Sequence, residues 1–330
     1  MKPHYAFFGA AMLLAACGGT SDIDIGGGGG GGGNPVPENP TIDQGDLPVD
    51  GTETCGAFVC SGDVTNITFS AGALAGDPSD DSLILTGLPF DDDPLGAEFT
   101  YLTTVTGGNG IDYDIYENQE ITPIPGFNRY LAIYKQTSGG EITVGVAAIE
   151  GYQEFGYSGA WYDVDDVTTS IPTLGLVGYT GDYAGTLTLD GSGALFLTDG
   201  TLRMEVDFTD SYLKGFIEDR DVYSVDGAGT LTNLARGPGT DRPTLVLNDT
   251  IITDGSFEGT VNSYKDDGSV LETGTYQGFF GGSDASVVGG LVRAIGDFDI
   301  DGDEDTDPNE DIFSARDLGV FTADCTLACP

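Results

Sequence analysis

From about residue 64 onward, short segments of the sequence alternate between apolar and polar residues, and turn-forming residues separate these segments. The clearest case is 201–208, where Leu202 and Met204 fall on one face of an extended chain and Arg203 and Glu205 on the other. A period of two residues is the signature of a half-buried β-strand. No window of about 11 to 18 residues carries a helical stripe of apolar side chains. The sequence therefore predicts an all-β protein.

Asp-Gly pairs support this prediction. In the part of the chain after residue 64 they begin at positions 190, 199, 226, 254, 267 and 301. The pair favours the positive φ angles that tight hairpins require, so we expect neighbouring strands to be antiparallel and joined by hairpins. The 53 glycines among 330 residues also disfavour long helices.

The predicted strands form two groups. The first covers 98–106, 111–116, 129–136, 141–149 and 159–164, and the second covers 180–189, 201–208, 212–218, 244–252, 256–264, 273–280, 285–295 and 312–321. Eight short antiparallel strands suit a small closed barrel, because closure removes exposed edges. We expect a β-rich domain over 54–177 and an eight-stranded antiparallel β-barrel over 178–330. Glu, Asp and Asn on the non-core face of many segments favour this reading over a membrane-spanning barrel.

The N-terminal residues are typical of an export signal. Lys2 gives a positive start, 5–14 is apolar, and Leu-Ala-Ala-Cys at 14–17 closely resembles the bacterial lipobox. We predict that residues 1–16 form a lipoprotein signal peptide and that Cys17 carries the lipid. The alternative is an ordinary signal peptide with a chance cysteine. The lipobox reading implies an outer-membrane, lipid-anchored protein.

Residues 17–53 are rich in glycine and proline, with an unbroken glycine run at 26–33. Glycine runs behave as coils and prolines stiffen a chain, so this segment is predicted to be a flexible tether. It is a poor phosphate-binding loop, because no Gly-Lys-Ser/Thr sequence occurs in the chain.

The charge balance limits the partners. The sequence has 54 acidic and 11 basic side chains, a formal net charge of −43. Nucleic acids and anionic lipid surfaces are bound by excess Lys and Arg, so neither is an expected partner. The expected ligand is cationic, neutral or metal-bearing.

Catalytic motifs are scarce. The single histidine is His4, inside the predicted signal peptide, which excludes histidine-dependent chemistry from the mature chain. Neither a Gly-x-Ser-x-Gly nor a His-Glu-x-x-His sequence occurs. We therefore predict that the protein is not an enzyme. A glycan hydrolase or lyase that uses paired carboxylates is the remaining catalytic alternative.

Four cysteines remain besides Cys17, namely Cys55, Cys60, Cys325 and Cys329. An even number in an exported protein indicates disulfides. Three connectivities are possible, and we favour the two local pairs because each lies at one edge of the folded part. Metal ligation is the alternative.

An acidic loop is predicted at 297–311. Its carboxylates recur at every second residue, at Asp297, Asp299, Asp301, Asp303 and Asp305, around Gly302. This spacing resembles the first nine positions of a calcium-binding loop, but position 12 is Pro308 and neither flank looks helical. Calcium binding and a solvated acidic tip are both open interpretations.

The segment 278–290 resembles the barrel motif of surface lipoproteins of the transferrin-binding protein B type. The matching residues are Gly278, Phe280, Gly282, Ala285, Gly289 and Gly290. The resemblance implies a handle-like domain followed by an eight-stranded barrel, with Phe280 in its interior. It also implies loops that bind a host protein or an iron- or haem-bearing solute beside an outer-membrane transporter.

The chain departs from the family pattern at Gly281 and at Ser286-Val287, and it has one handle-plus-barrel unit where the transferrin receptor has two. The resemblance therefore does not name transferrin as the ligand. The sequence predicts a lipid-anchored surface protein that binds a solute or protein through loops for uptake. A calcium-stabilised adhesion or matrix protein is the alternative.

Cationic and aromatic residues are further candidate ligand contacts. The cations include Arg129, Lys135, Arg203, Lys214, Arg220, Arg236 and Arg242. Each could orient an anion, but the favoured interpretation is a surface charge or a partner of the surplus carboxylates. Trp161 with Tyr157 and Tyr162 could form an aromatic platform, although a place in the core is favoured.

Overall fold

The computed structural model describes residues 41–42, 66–74, 77–86, 97–106, 110, 112–118, 130–137, 139–150, 157–164, 171–192, 194–234, 242–299, 312–327 and 329. In this part the regular elements are antiparallel strands and two short 3-10 turns, Pro78–Asp80 and Ser283–Ala285. The all-β prediction is confirmed. No helix of the described residues is long and apolar enough to cross a membrane.

The first sheet, here called the handle, has eight strands. They are β1 (Thr41–Ile42), β2 (Asn66–Ser70), β3 (Ser82–Thr86), β4 (Ala97–Thr106), β5 (Asp112–Asn118), β6 (Tyr130–Gln136), β7 (Ile142–Ile149) and β8 (Tyr157–Val164). The order across the sheet is β1-β8-β7-β6-β5-β4-β3-β2, so β2 to β8 pair in sequence order and β1 adds to the free edge of β8.

The second sheet is the barrel. Its strands are β9 (Leu176–Leu189), β10 (Leu195–Asp207), β11 (Tyr212–Val225), β12 (Leu231–Asn233), β13 (Leu245–Thr253), β14 (Ser256–Tyr264), β15 (Val270–Gly281), β16 (Val287–Asp299) and β17 (Ile312–Leu327). The order is β10-β9-β17-β16-β15-β14-β13-β11-β12, and β10 also pairs with β11. That last pairing closes eight strands into a barrel, while the short β12 lies outside the ring on β11. The predicted closed eight-stranded barrel is confirmed.

Two faces of the handle are buried, which explains why its central strands read as nearly continuous apolar runs. In β7, Val144 and Val146 pack in a cluster shared with the barrel wall, whereas Ala147 and Ile149 pack in a second cluster on the other face. The first cluster includes barrel residues such as Leu318, so the handle lies against the outside of the barrel. We call this contact the seam.

Glycines of the 278–290 motif permit the seam to close. A Cβ atom on Gly289 would lie 2.6 Å from Cγ2 of Ile142, and one on Gly281 would lie 2.9 Å from Cγ1 of the same side chain. Tyr113 of the handle adds a polar contact, because its hydroxyl donates to the backbone oxygen of Asp182 at 2.5 Å. The motif glycines therefore serve handle docking as well as the barrel itself.

The Asp-Gly prediction is correct for four of the six pairs. The pairs beginning at Asp190, Asp226, Asp254 and Asp267 lie in turns. In the hairpin between β13 and β14, Asp254 and Gly255 have φ angles of 50° and 82°. The pair at 301 lies outside the described residues.

The pair beginning at Asp199 is a correction, because it lies inside β10. The register with β11 shifts between Asp199 and Thr201, which marks a β-bulge. A Cβ atom on Gly200 would lie 2.8 Å from Cγ2 of Ile217, so the glycine permits close approach of a neighbouring strand. β10 therefore begins at Leu195, and the predicted strand 201–208 covers only its second half.

Candidate functional site

The lower part of the barrel interior is filled by apolar side chains. "Lower" refers to the end where β10, β13, β15 and β17 finish. Phe280 is fully buried, and its ring centroid lies 5.4 to 5.6 Å from those of Phe208, Phe257 and Tyr179. The Tyr179 hydroxyl donates to the backbone oxygen of Ala285 at 2.5 Å, in the turn after β15. Phe280 therefore lies in the barrel interior, as the motif resemblance implies.

The upper half of the interior holds an ion cluster, defined as Arg220, Arg242, Glu272 and Asp317. Arg220 donates through Nη1 and Nη2 to the two oxygens of Glu272 at 2.6 and 3.1 Å, and through Nη2 to Asp317 at 2.8 Å. Arg242 donates through Nη2 to Glu272 and stacks over the ring of Phe298. All four charged side chains are buried.

Hydroxyl groups complete the ion cluster. Tyr183 and Thr198 donate to Oδ1 of Asp317 at 2.6 and 2.9 Å, and Ser263 donates to Glu272 at 2.6 Å. Two positive and two negative charges balance within the cluster. Such balance is what burial of charge requires, although Nε of Arg220 and both Nε and Nη1 of Arg242 have no hydrogen-bond partner in the structure.

Electrostatics keep Asp317 and Arg242 charged at neutral pH. Burial alone raises the pKa of the Asp317 carboxyl, but the guanidinium groups of Arg220 and Arg242 hold it below its usual value. Burial, together with the charge of Arg220, lowers the pKa of Arg242 to about 10, so this side chain stays protonated. Because arginines bind both carboxylates, the cluster ties β11, β15 and β17 together across the barrel interior.

The sequence interpretation missed this cluster, although a signal was present. Glu272, Asp317 and Ser263 occupy inward positions of otherwise apolar strands. Only the register of eight strands reveals that these positions meet.

A pair of carboxylates lies at the outer wall of the barrel. Asp199 and Asp221 are partners in the register of β10 and β11, and the Tyr223 hydroxyl lies 3.3 Å from an oxygen of each. Burial is the main cause that raises the pKa of Asp199 to about 7, and the nearby charge of Asp221 adds to it. Only one proton is needed to relieve the repulsion in such a pair.

The exposed surface carries an apolar patch at the lower end of the barrel. We call it the lower rim and define it as Leu174, Leu176, Ile251 and Leu327, which are 75%, 61%, 70% and 68% exposed. Cross-strand pairing connects Leu176 to Ile251 through Asp207 and Tyr212, so the row crosses four neighbouring strands.

Leu327 extends the lower rim, because it pairs with Gly178 on the same wall as Leu176. Exposed apolar patches of this kind mark interaction sites.

Carboxylates surround the lower rim. Asp210, Asp249 and Asp324 are exposed near its strands, and Lys214 is the nearby cation, paired with Glu205. Asp207 itself lies within the row, between Leu176 and Ile251. A rim that mixes apolar and acidic side chains favours a partner that combines apolar and basic side chains.

The structure places few of the sequence-predicted site residues together. A disulfide joins Cys325 to Cys329 next to the lower rim, the local pair that we favoured. Cys17, Cys55 and Cys60 lie outside the described residues. So do Asp301, Asp303 and Asp305, while Asp297 and Asp299 end β16. In the described part of the chain no group of three potential metal-ligating side chains is present.

The candidate cations and aromatic residues differ in where the structure places them. The surface-charge interpretation is wrong for Arg220 and Arg242, because the barrel interior provides two carboxylates that balance their burial; the alternative of pairing with surplus carboxylates is correct. Arg203 pairs with Glu218 on the barrel surface. Trp161 and Tyr162 are buried in the handle and do not form an exposed platform.

Two other cations, Arg129 and Arg236, and the side chain of Tyr157 lie outside the described part.

Comparisons with known proteins return structures of the family that residues 278–290 resemble. Transferrin-binding protein B from Haemophilus parasuis Hp5 is 13% identical, with 78% of this chain and 45% of that chain covered, at a TM-score of 0.40. Transferrin-binding protein B from serogroup B Neisseria meningitidis is 15% identical, with 68% and 39% covered, at 0.35. A structure described as a surface lipoprotein is 12% identical, with 58% and 80% covered, at 0.34.

The chain thus spans less than half the length of these two transferrin-binding proteins. No family model and no curated protein matches it. At these identities and TM-scores the similarity adds no argument about the site, and the fold rests on the strand pairing of the chain itself.

Proposed function

We propose that this protein is a lipid-anchored surface protein that binds a partner protein, or a solute carried by one, for uptake. Three features support the proposal: the Leu-Ala-Ala-Cys sequence ending at Cys17, the tether over 17–53, and a barrel whose described interior is occupied by its own side chains. Because that interior is filled, binding belongs to the outer surface and the loops. An iron- or haem-bearing cargo is the finer form of the proposal and rests on the motif resemblance alone.

The lower rim carries the proposal. Its four apolar side chains are 61% to 75% exposed on a protein of net charge −43. Self-association of so acidic a surface is opposed by repulsion, so the occupant is a different protein with basic residues around an apolar anchor.

The test is capture from the native growth medium on the immobilised protein, followed by affinity measurement with the captured partner. Replacing Leu176 and Leu327 by Asp is expected to weaken binding at least about tenfold, because apolar anchors dominate interface energies. The control is Val270→Asp, which changes an apolar residue that is 53% exposed at the other end of the barrel. Equal binding by the double variant and the control would contradict the rim as the binding surface.

A catalytic function has weaker support. Glu272 and Asp317 are carboxylates of the barrel interior that share Arg220, so arginine already binds both. Turnover of a glycan by the purified protein is the observation that would favour the enzyme alternative.

A further inference from the structure

Arg293 is a buried cation without a partner. It lies on β16, it is 6% exposed, and its Nε and Nη2 atoms have no hydrogen-bond partner in the structure. The salt bridges of the described residues do not include it. In the ion cluster, by contrast, Arg220 forms ion pairs with two carboxylates.

The register places Arg293 on the outer wall of the barrel. Its cross-strand partners are Thr275 on β15 and Leu318 on β17. Leu318 is buried in the seam cluster, whereas Thr275 is exposed, so Arg293 lies at the edge of the seam. Arg293 is therefore buried while its neighbour on one side reaches solvent.

A second arginine lies beside it. Arg316 pairs with Ile295, two residues after Arg293 on β16, so the two arginines are diagonal neighbours on one face. Arg316 is bound to Asp190 at 3.0 Å, a carboxylate that Arg293 does not share. Burial is the main cause that lowers the pKa of Arg293 to about 10, and repulsion from Arg316 adds to it, so Arg293 stays cationic at neutral pH.

A hydroxyl group on the same wall is also unsatisfied. Thr188 is the cross-strand partner of Arg316, it is fully buried, and its Oγ1 atom has no hydrogen-bond partner. Unmet N–H donors of Arg293 and the unmet hydroxyl of Thr188 thus share one face of three adjacent strands, β9, β17 and β16.

Burial of an unpaired charge is unfavourable, and proteins normally pair such a group or bind an ion to it. This chain has 54 carboxylates for 11 basic residues, yet none of the described ones reaches Arg293. We propose that Arg293, Arg316 and Thr188 form a site for a small oxyanion of the carboxylate or phosphate class at the edge of the seam. Guanidinium groups match the paired oxygens of both classes, and a hydroxyl supplies one more donor.

The test uses the purified protein in a chloride buffer of constant ionic strength. Phosphate and citrate are titrated separately by calorimetry, and melting temperatures are recorded at each concentration. We expect saturable binding of at least one oxyanion and a melting temperature that rises with its concentration. The oxyanion that binds more tightly, phosphate or citrate, identifies the class of ligand.

Arg293→Gln is the decisive variant, and Arg203→Gln is its control on the exposed wall. In chloride, Arg293→Gln is expected to melt at or above the wild-type temperature, because an unpaired buried charge is removed. Its response to the oxyanion should be lost, while Arg203→Gln responds as wild type does. As a second variant, Arg316→Gln should bind the anion about tenfold more weakly.

Three results would overturn the proposal. The first is the absence of any response of the wild type to both oxyanions. The second is an equal response of wild type and Arg293→Gln. The third is a large drop in the melting temperature of Arg293→Gln in chloride, which would mean that the chain itself supplies the counterion. None of these results depends on whether the lower rim binds a protein.

Discussion

Glu272 illustrates how single residues hold the barrel interior together. It is fully buried and receives hydrogen bonds from Arg220, Arg242 and Ser263. Removing one member of a buried ionic group leaves its partners as uncompensated charges in a medium of low polarity. The stability of the barrel therefore depends on the completeness of the cluster more than on the attraction of any one pair.

We predict that Glu272→Gln lowers the free energy of unfolding by about 3–5 kcal/mol, because two arginines lose their shared carboxylate. The control is Glu218→Gln, which removes the partner of Arg203 on the exposed wall and should cost less than about 1 kcal/mol. Urea denaturation of both variants measures the difference. Equal losses would mean that the cluster contributes no more than a surface ion pair.

Asp199 predicts a pH dependence. Its pKa is about 7 in the folded protein, against an ordinary value of 3.8, so between these two pH values the folded state holds a proton that the unfolded state has lost. Stability from this group is therefore present at low pH and lost as the pH rises from about 4 to about 7. Asp199→Asn should remove this loss.

Accordingly, Asp199→Asn is expected to be more stable than wild type at pH 8 by about 1–3 kcal/mol and nearly equal to it at pH 4.5. Denaturation curves at several pH values measure the difference between the two proteins, which cancels the titration of the other carboxyl groups. Asp210→Asn, an exposed change in the turn after β10, serves as the control. A difference that does not vary with pH would contradict the raised pKa.

At the scale of elements, periodicity predicts most of the strands. The central handle strands and all eight barrel strands could be located because their apolar residues recur at every second position. β2 and β3 were missed because each has only five residues between segments rich in Asp, Gly and Pro. β10 was shortened because an Asp-Gly pair at a bulge has the same sequence signal as one at a turn.

The candidate site was less predictable than the strands. The lower rim depends on which outward residues of β9, β10, β11 and β13 are neighbours, and strand register is not encoded in local periodicity. The same limit applies to Arg293, since its lack of a carboxylate partner is a property of three paired strands. Composition alone instead suggested that the arginines would be surface charges or partners of the surplus carboxylates.

The acidic connection between β16 and β17 is the element with a calcium prediction. Carboxylates at every second residue repel one another, and a bound divalent cation would remove that repulsion. If the loop binds calcium, millimolar calcium will release heat and raise the melting temperature of wild type. A variant with Asp299, Asp301 and Asp303 replaced by Ala should show neither effect. Equal heats and equal melting temperatures would leave a solvated acidic tip.

The whole molecule combines a predicted anchor signal and a predicted tether with two sheets that share one seam. The barrel closes on itself, and the handle buries one face against its outer wall, so separate apolar clusters fill the barrel interior and the seam. We propose that the tether carries this folded part away from a lipid anchor at Cys17. The proposed function therefore requires the folded part to be exposed at the cell surface.

Protease treatment of intact cells tests that central claim most directly. We predict that the wild-type protein is cleaved from intact cells, and that Cys17→Ala is either released from the membrane fraction or left uncleaved by the signal peptidase. A periplasmic protein serves as the control for cell integrity and should stay protected. Protection of the wild-type protein until the outer membrane is broken, or membrane association of Cys17→Ala equal to that of wild type, would contradict the account.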